Sequence, residues 1–314
     1  MQKIPVGISA CLLGQEVRYD GGHKHSPYCT KVLANYFEFL PLCPELQAGL
    51  GVPRPTIHLE QQEDELRLVD VKGNADHTDA MHDWIGQTLD GLSHLRGYIL
   101  MAKSPSCGME RIRIYDPKGQ VLHRDGRGMF AAALMQRFPL LPVEEEGRLN
   151  DSHLRENFIE RVFVYDEWMR LEAEGLTSAA LVAFHTRHKF QLKAHCENTY
   201  RHLGQKIANL KAAPIGLIAE QYISQFMQAM ARQIRRGSHA HVMQSMMGYL
   251  REVLEPAEKQ MLLEQIEAYR REEIPLIVPM TLLRMAQRRQ PAAYLENQGY
   301  LSPYPDALGL RNRV

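Results

Sequence analysis

The stretch Val6-Gly7-Ile8-Ser9-Ala10-Cys11 places an apolar run directly before a cysteine, and the pattern returns twice along the chain. Phe39-Leu40-Pro41-Leu42 precedes Cys43, and Tyr98-Ile99-Leu100-Met101-Ala102 precedes the turn Lys103-Ser104-Pro105-Ser106-Cys107-Gly108. Short apolar runs of this kind are typical of buried strands in a parallel sheet. Turns after the carboxyl ends of such strands meet in one crevice, where open α/β sheets bind their ligands. We therefore expect the three cysteines to converge on one site.

Length and composition indicate a globular protein with room for two domains. The chain has 314 residues, of which 45% are hydrophobic and 24% charged. No apolar stretch approaches the roughly 20 residues that a membrane span needs, and Met1-Gln2-Lys3-Ile4-Pro5 leads into a predicted strand instead of a signal peptide. Five cysteines, an odd number without a secretory segment, argue against a disulfide framework. We expect a cytoplasmic protein that does not associate with membranes.

The first half of the chain alternates between predicted strands and helices. Helices are expected near residues 28–37, 76–95 and 127–137. Further strands are expected at residues 110–115 and in a hairpin at a sheet edge, formed by residues 56–71 around a polar turn. This order predicts an α/β domain with a mainly parallel, Rossmann-like sheet.

From about residue 150 onward the strand signals vanish and a 3.6-residue periodicity continues, which predicts an all-helical second domain. The acidic joint Glu144-Glu145-Glu146-Gly147 marks the expected boundary, with domains at residues 1–147 and 148–314. Helix breaks are expected at the glycines and prolines of the second half, which are Gly175, Gly204, Pro214, Gly237, Pro256 and Pro275.

The formal net charge is zero, but basic residues concentrate in the predicted helical domain. Residues 181–236 contain nine Lys or Arg and two acidic residues, with histidines and aromatic residues between them. Such a stretch is either a solvated helix face or a polyanion-binding surface, because phosphate contacts supply most nucleic-acid affinity. Lys189 and Lys193 lie four residues apart on one predicted helix face and Arg187 lies close by, so these three are the candidate contacts.

Three thiolates from separate turns can bind a four-iron cluster or a zinc ion, and either metal group would keep one position open. The short Cys-x-x-Cys spacing of ferredoxins and zinc ribbons is absent, so the spacing does not choose between these metals. A second metal-binding face formed by His185, His188 and His195 is a weaker alternative. Cys29 and Cys196 lie in predicted helices without turn chemistry, and we interpret them as bystanders.

Polar residues with catalytic potential flank the second and third cysteines. Glu45 follows Cys43 by two residues, and the third turn carries Lys103, Ser104 and Ser106 beside its thiol. Each of these residues alone also fits a solvated loop. Together they suggest Glu45 as a general base and Ser104 as a hydrogen-bond partner of a substrate. Lys103 and Ser106 are weaker candidates for substrate binding or for stabilising developing charge.

These blocks resemble a known family. Residues 9–24, Cys43-Pro44-Glu45 with residues 49–55, and residues 103–108 resemble the TudS family of 2-thiouracil desulfurases, in order and over about the first half of the chain. The remainder resembles the helical YbgA-type domain that is often fused to it. The segments that carry this second resemblance are residues 184–190, 248–250, 274–276 and 302–305.

The resemblance implies a 4Fe–4S cluster held by Cys11, Cys43 and Cys107, with one iron not ligated by protein. Such an iron would act as a Lewis acid on a thiocarbonyl sulfur while water replaces the sulfur, so sulfide is the expected product and no net electron transfer is needed. Proteins of this two-domain build are similar to the RudS group, which removes sulfur from 4-thiouridine in tRNA. We therefore expect tRNA as the substrate, bound by the helical domain through Arg187, Lys189 and Lys193.

Three other functions compete with this interpretation. The nearest is desulfuration of free thiouracil or thiouridine, which needs only the first domain. A non-enzymatic iron–sulfur sensor that binds RNA or protein is a second alternative, disfavoured because a sensor normally uses four protein ligands. A tRNA thiolase would need ATP, and the chain has no Gly-x-x-x-x-Gly-Lys-Ser/Thr phosphate loop.

Overall fold

A computed structural model describes residues 2–72, 75–252, 254–289, 295 and 297–314. The chain divides into two compact units, Met1–Asn150 and Asp151–Val314. The predicted boundary at residue 147 falls inside a short 3₁₀ helix, Glu146–Asn150, that ends the first unit. Asp151 then caps the first long helix of the second unit, because its carboxylate accepts hydrogen bonds from the backbone N–H groups of His153 and Leu154.

The first unit is an α/β structure. Its described strands are β1 (Ile4–Ser9), β2 (Phe37–Leu42), β3 (Ile57–Gln62), β4 (Glu65–Asp70), β5 (Gly97–Leu100), β6 (Ile112–Tyr115), β7 (Val121–Gly126) and β8 (Val143–Glu145). Its described α-helices are α1 (Pro27–Lys31), α2 (Pro44–Gln47), α3 (Thr78–Thr88) and α4 (Met129–Arg137).

One sheet of the first unit is entirely parallel, as the apolar runs predict. Its strand order is β2-β1-β5-β8. Val6 and Ile8 of β1 and Ile99 of β5 are fully buried, which explains why these strands read as apolar runs without alternation. In the register of this sheet Ser9 pairs with Leu42, and Ile8 pairs with Ile99. The carboxyl ends of β1 and β2 are therefore level with one another.

A second, mixed sheet has the order β4-β3-β6-β7. The predicted hairpin is confirmed as the antiparallel pair β3 and β4, with β4 at the edge of this second sheet. Strand β7 was not predicted from the sequence. Five of its six residues are exposed, so it lacks the apolar alternation by which a half-buried strand is recognised.

One local prediction for the first unit was wrong. The helix expected over residues 28–37 is only α1 followed by a 3₁₀ turn, Leu33–Asn35, because β2 begins at Phe37. At the predicted boundary, Glu144 and Glu145 lie buried in β8, a strand that the sequence did not predict. Their carboxylates are paired: Glu144 accepts a hydrogen bond from Arg148 at 2.6 Å, and Glu145 accepts one from the Met109 N–H at 2.9 Å.

The second unit is helical throughout its described part. Its α-helices are α5 (Ser152–Ala173), α6 (Ser178–His195), α7 (Glu197–Ala208), α8 (Ile215–Met230), α9 (Arg236–Met247), α10 (Pro256–Arg270) and α11 (Ile277–Arg289). Gly204 lies inside α7, so the break predicted there was wrong, whereas Gly237 is the second residue of α9 and directly follows the break between α8 and α9. A helix tolerates a glycine because the residue costs only about 1 kcal/mol relative to alanine. None of the described helices is both long and apolar enough to span a lipid bilayer.

Gly128 provides a test of how the first unit is packed. A Cβ at this position would lie 2.5 Å from the Ser106 carbonyl oxygen, so a side chain must push the two backbones apart. We expect Gly128→Ala to lower the free energy of unfolding by about 1–3 kcal/mol, measured by urea denaturation. Gly86→Ala in α3 is the control, because its Cβ would meet no atom within 4 Å. Equal stability of the two variants would contradict this account of the packing.

Candidate active site

A cavity of about 550 Å³ lies at the carboxyl ends of the parallel strands of the first unit. Cys11 comes from the 3₁₀ helix that directly follows β1, Cys43 from the residue between β2 and α2, and Cys107 from the turn after β5. All three side chains line the cavity, together with Glu45 and Ser104. The site thus collects thiols, a carboxylate and a hydroxyl from three separate strand ends.

Local hydrogen bonds hold the first two cysteines in place. The Cys11 carbonyl accepts a hydrogen bond from the Lys24 N–H at 2.9 Å, which closes the polar loop between them over the strand end. Cys43 has an extended backbone and begins α2, where Pro44 occupies the first helical position. Its Sγ atom lies 3.7 Å from the Val17 carbonyl oxygen, so the thiol faces the same loop.

Ser104 organises the turn that carries the third cysteine. Its Oγ atom accepts hydrogen bonds from the backbone N–H groups of Ser106 at 3.2 Å and Cys107 at 3.0 Å. Helix α4 supports the same turn, since the Met129 N–H donates to the Pro105 carbonyl at 3.0 Å. The turn also needs a glycine at position 108. A Cβ there would lie 2.9 Å from the Ser104 carbonyl oxygen, which leaves no room for a side chain.

Glu45 bridges this turn to an arginine that was not singled out from the sequence. The Ser104 hydroxyl donates to Glu45 Oε1 at 3.0 Å, and the Arg54 guanidinium forms an ion pair with Oε2. The Arg54 side chain is only 3% exposed and the Glu45 side chain 14%. A lone arginine in the loop Gly49–Pro55, which is rich in glycine and proline, was the available signal. Nothing in the local pattern identifies its partner.

The thiols of the cavity are held in their neutral form unless a cation lies beside them. Burial raises the pKa of Cys11 to about 11, and the neighbouring Cys43 adds to the effect. The pKa of Cys107 lies well above its ordinary value because the thiol is buried and Glu45 is near. A metal ion reverses this balance, since coordination deprotonates a thiol. Three soft donors around one cavity therefore fit a thiolate-bound metal group.

The described residues contain no group of three His, Cys, Asp or Glu side chains spaced to hold a single metal ion. The three thiols border the cavity instead. Lys103 also lines it with an exposed side chain, whereas Ser106 is fully buried and does not line it. Cys29 and Cys196 are not among the lining residues.

The three cations predicted to contact nucleic acid lie on α6 and are engaged within the helical unit. Arg187 pairs with Glu167 at 3.0 Å, and Lys193 donates to Ser245 at 2.8 Å. Lys189 is buried, which lowers the pKa of its ammonium to about 8. Their contact with nucleic acid stays a prediction. Other cations of the basic stretch are exposed, namely Arg201, Lys211, Arg232 and Arg235.

The histidines considered as a metal-binding face are buried and point to different partners. His185 Nδ1 lies 3.1 Å from the Tyr222 hydroxyl, and His188 Nδ1 lies 2.6 Å from Gln191 Oε1. His195 Nε2 lies 3.2 Å from a carboxylate oxygen of the buried Glu160. These histidines belong to the polar interior of the second unit.

Both halves of the chain match known families. Residues 6–146 match the family described as 2-thiouracil desulfurase, and residues 189–305 match a family described as a protein of unknown function, DUF1722. The uncharacterized protein YbgA of Escherichia coli strain K12 is 30% identical over 153 residues, which are 48% of this chain and 90% of YbgA. The solved structure of TudS, a [4Fe-4S]-dependent thiouracil desulfidase, is 33% identical over 48% of this chain and 94% of its own, with a TM-score of 0.38.

Metal content tests the three-thiol site directly. After anaerobic reconstitution with iron and sulfide, we expect Cys11→Ala, Cys43→Ala and Cys107→Ala each to lose bound iron and the visible absorbance of a cluster, because each removes one of the predicted thiolate ligands. Cys29→Ala and Cys196→Ala are the controls and should bind iron like the wild type. Full iron content in one of the first three variants would remove that cysteine from the site.

Proposed function

This chain belongs to the YbgA family and joins a helical domain of that family to a 2-thiouracil desulfurase domain, and we propose that it removes sulfur from a thiolated uracil. The observation that carries this proposal is that three thiols and the Glu45–Ser104 pair line one cavity. Its volume of about 550 Å³ is in the range of small-molecule sites. Exchange of sulfur for oxygen consumes one water and releases sulfide, without net electron transfer.

The proposed cofactor is a 4Fe–4S cluster held by Cys11, Cys43 and Cys107, with one iron not ligated by protein. When bound, such a cluster supplies a Lewis-acidic iron with affinity for a soft thiocarbonyl sulfur. The number of donors supports the open iron. A four-iron cluster is ordinarily held by four cysteines, whereas three line this cavity, so one iron would have no protein ligand.

Glu45 and Ser104 are assigned the proton transfers. Arg54 occupies Glu45 Oε2, so Oε1 is the atom that exchanges protons. When the Ser104 hydroxyl turns from Glu45 to the substrate, Oε1 becomes free to accept a proton from the attacking water. The backbone N–H groups that bind Ser104 Oγ keep the oxygen in place while its hydrogen changes partner. Lys103, at the cavity wall, is assigned to substrate binding.

We propose 4-thiouridine in tRNA as the substrate, with the helical domain binding the tRNA through its basic stretch. The exposed Lys211 and Arg235 support this choice, as does Arg201, which pairs with Glu197 at 3.0 Å but is 71% exposed, because phosphate contacts need cations that reach solvent. A nucleotide inside folded tRNA must be turned out of its stack to enter a cavity. Free thiouracil or thiouridine is the second candidate, favoured by the confinement of all proposed catalytic groups to the first unit.

One experiment separates these substrates from each other and from a sensor. The anaerobically reconstituted protein is incubated with bulk bacterial tRNA, and separately with free 4-thiouracil and 2-thiouracil. We expect 4-thiouridine to disappear from tRNA with equal gains of uridine and sulfide. Sulfide from the free bases alone would assign the second candidate. A loaded protein that releases no sulfide from any of them would favour the iron–sulfur sensor and overturn the proposal.

The role of Glu45 is testable by Glu45→Gln, which keeps the shape of the side chain and removes the base. We expect turnover to fall roughly 10²-fold or more, the usual contribution of a general acid–base group. Iron content should stay at the wild-type level, because Glu45 is not among the proposed ligands. Glu146→Gln is the matched control, since Glu146 also lines the cavity. Unchanged turnover in Glu45→Gln would leave Glu45 a structural role only.

The role of the helical unit is testable by neutralising exposed cations. We expect Arg201→Gln, Lys211→Gln and Arg235→Gln together to weaken tRNA binding and to flatten its salt dependence by up to about one unit of slope per lost phosphate contact. Desulfuration of free thiouracil should survive. Lys259→Gln with Arg270→Gln is the control, because both residues are exposed outside the basic stretch.

A second set locates the contact surface. Neutralising Arg187, Lys189 and Lys193 together tests the contacts predicted on α6. A larger loss in this set than in the exposed set would place the tRNA on α6. Wild-type affinity in both sets at every salt concentration would mean that the basic stretch is only a solvated face.

A further inference from the structure

We propose that Arg54 is a positioning residue that fixes the Glu45 carboxylate with Oε1 directed at Ser104. The inference rests on the proposed function, because it concerns the base of that reaction. Among the described residues, Arg54 makes no hydrogen bond to a proposed metal ligand, and the side chain to which it does bind in the cavity is Glu45.

The guanidinium is anchored independently of the carboxylate that it binds. One of its terminal nitrogens, Nη1, donates to the Val17 carbonyl at 3.0 Å and to the Gly51 carbonyl at 2.8 Å. The backbone N–H of Arg54 donates to the Tyr19 carbonyl at 2.9 Å. Two loops of the cavity wall thus hold the arginine, and its second nitrogen, Nη2, is presented to Glu45.

This anchoring determines which carboxylate oxygen is available for chemistry. Because Nη2 occupies Oε2, the rotation of the Glu45 side chain is stopped with Oε1 towards Ser104. An arginine suits this task better than a lysine, since its planar fork serves the carbonyls with one nitrogen and the carboxylate with the other.

The positive charge of Arg54 also stabilises the Glu45 carboxylate. The Glu45 side chain is only 14% exposed, and a part-buried carboxylate without a partner is costly, so the guanidinium stabilises its charge. The only guanidinium that is paired with this carboxylate among the described residues is that of Arg54.

A purely structural role is the competing explanation, because the same hydrogen bonds join the loops around Val17 and Gly51. The two explanations differ in how Arg54 and Glu45 depend on each other. If Arg54 acts through Glu45, removing Arg54 matters only while the carboxylate is present. If Arg54 only joins loops, its removal slows the enzyme in either background.

The test is a double-mutant cycle with Arg54→Ala, Glu45→Gln and the double variant, all reconstituted anaerobically and assayed on free thiouracil. We expect Arg54→Ala to lower kcat at least 10-fold with KM changed less than 3-fold and with wild-type iron content. The double variant should be no slower than Glu45→Gln alone. Added guanidinium ion should restore part of the turnover of Arg54→Ala and none of that of the double variant.

Arg54→Lys guards against a folding defect, and Arg137→Ala is the matched control, since Arg137 pairs with Asp90 at the surface. The lysine variant should keep its fold and iron and recover only part of kcat. Additive losses in the cycle, or rescue by guanidinium in both backgrounds, would overturn the inference.

A readout without turnover keeps this inference distinct from the proposed function. In the metal-free protein, the shifts of melting temperature in the three variants should be strongly non-additive, because either single change leaves a buried charged or polar partner unpaired. If the wild type desulfurates nothing, the proposed function fails, but the melting temperatures still measure the coupling between Arg54 and Glu45. Additive shifts would show that Arg54 does not hold Glu45, whatever the reaction is.

Discussion

The parallel pairing of β1 with β2 and with β5 is the constraint on which the site depends. It places Ser9 level with Leu42 and Ile8 level with Ile99, so the segments after all three strands meet at one edge of the sheet. Residues that are about thirty and sixty positions apart in the chain then line one cavity. No local spacing motif is needed for such a site, because the sheet sets the distances.

The cavity contains two kinds of group whose charged forms are costly in a protein interior, namely thiols and a carboxylate. Buried thiols resist ionisation, as the raised pKa values of Cys11 and Cys107 show, and a part-buried carboxylate needs a cation. Arg54 supplies that cation through its ion pair with Glu45. The thiols ionise when a metal group binds, so the protein part of the site and its proposed cofactor complete each other electrostatically.

Much of this arrangement was predictable, and the exceptions share a cause. The apolar runs predicted the parallel strands, and the turns after them predicted which cysteines line the cavity. The exposed strand β7 and the buried acids of β8 were missed, because burial at these positions is decided by neighbours far along the chain. The buried Lys189 shows the same limit, since a run of cations does not reveal which of them reach solvent.

Local patterns in the chain were enough to predict the α/β and helical halves, the strands that end in cysteines, and the chemical character of Glu45 and Ser104. Those features depend on hydrophobic periodicity, turn chemistry and residue type, all of which are local. The contacts of the Ser104 hydroxyl with Glu45 Oε1 and of Arg54 with Oε2 could be found only from the folded chain. A hydrogen bond between distant segments depends on atomic positions that strand register and loop packing set together, so no single stretch of sequence specifies it.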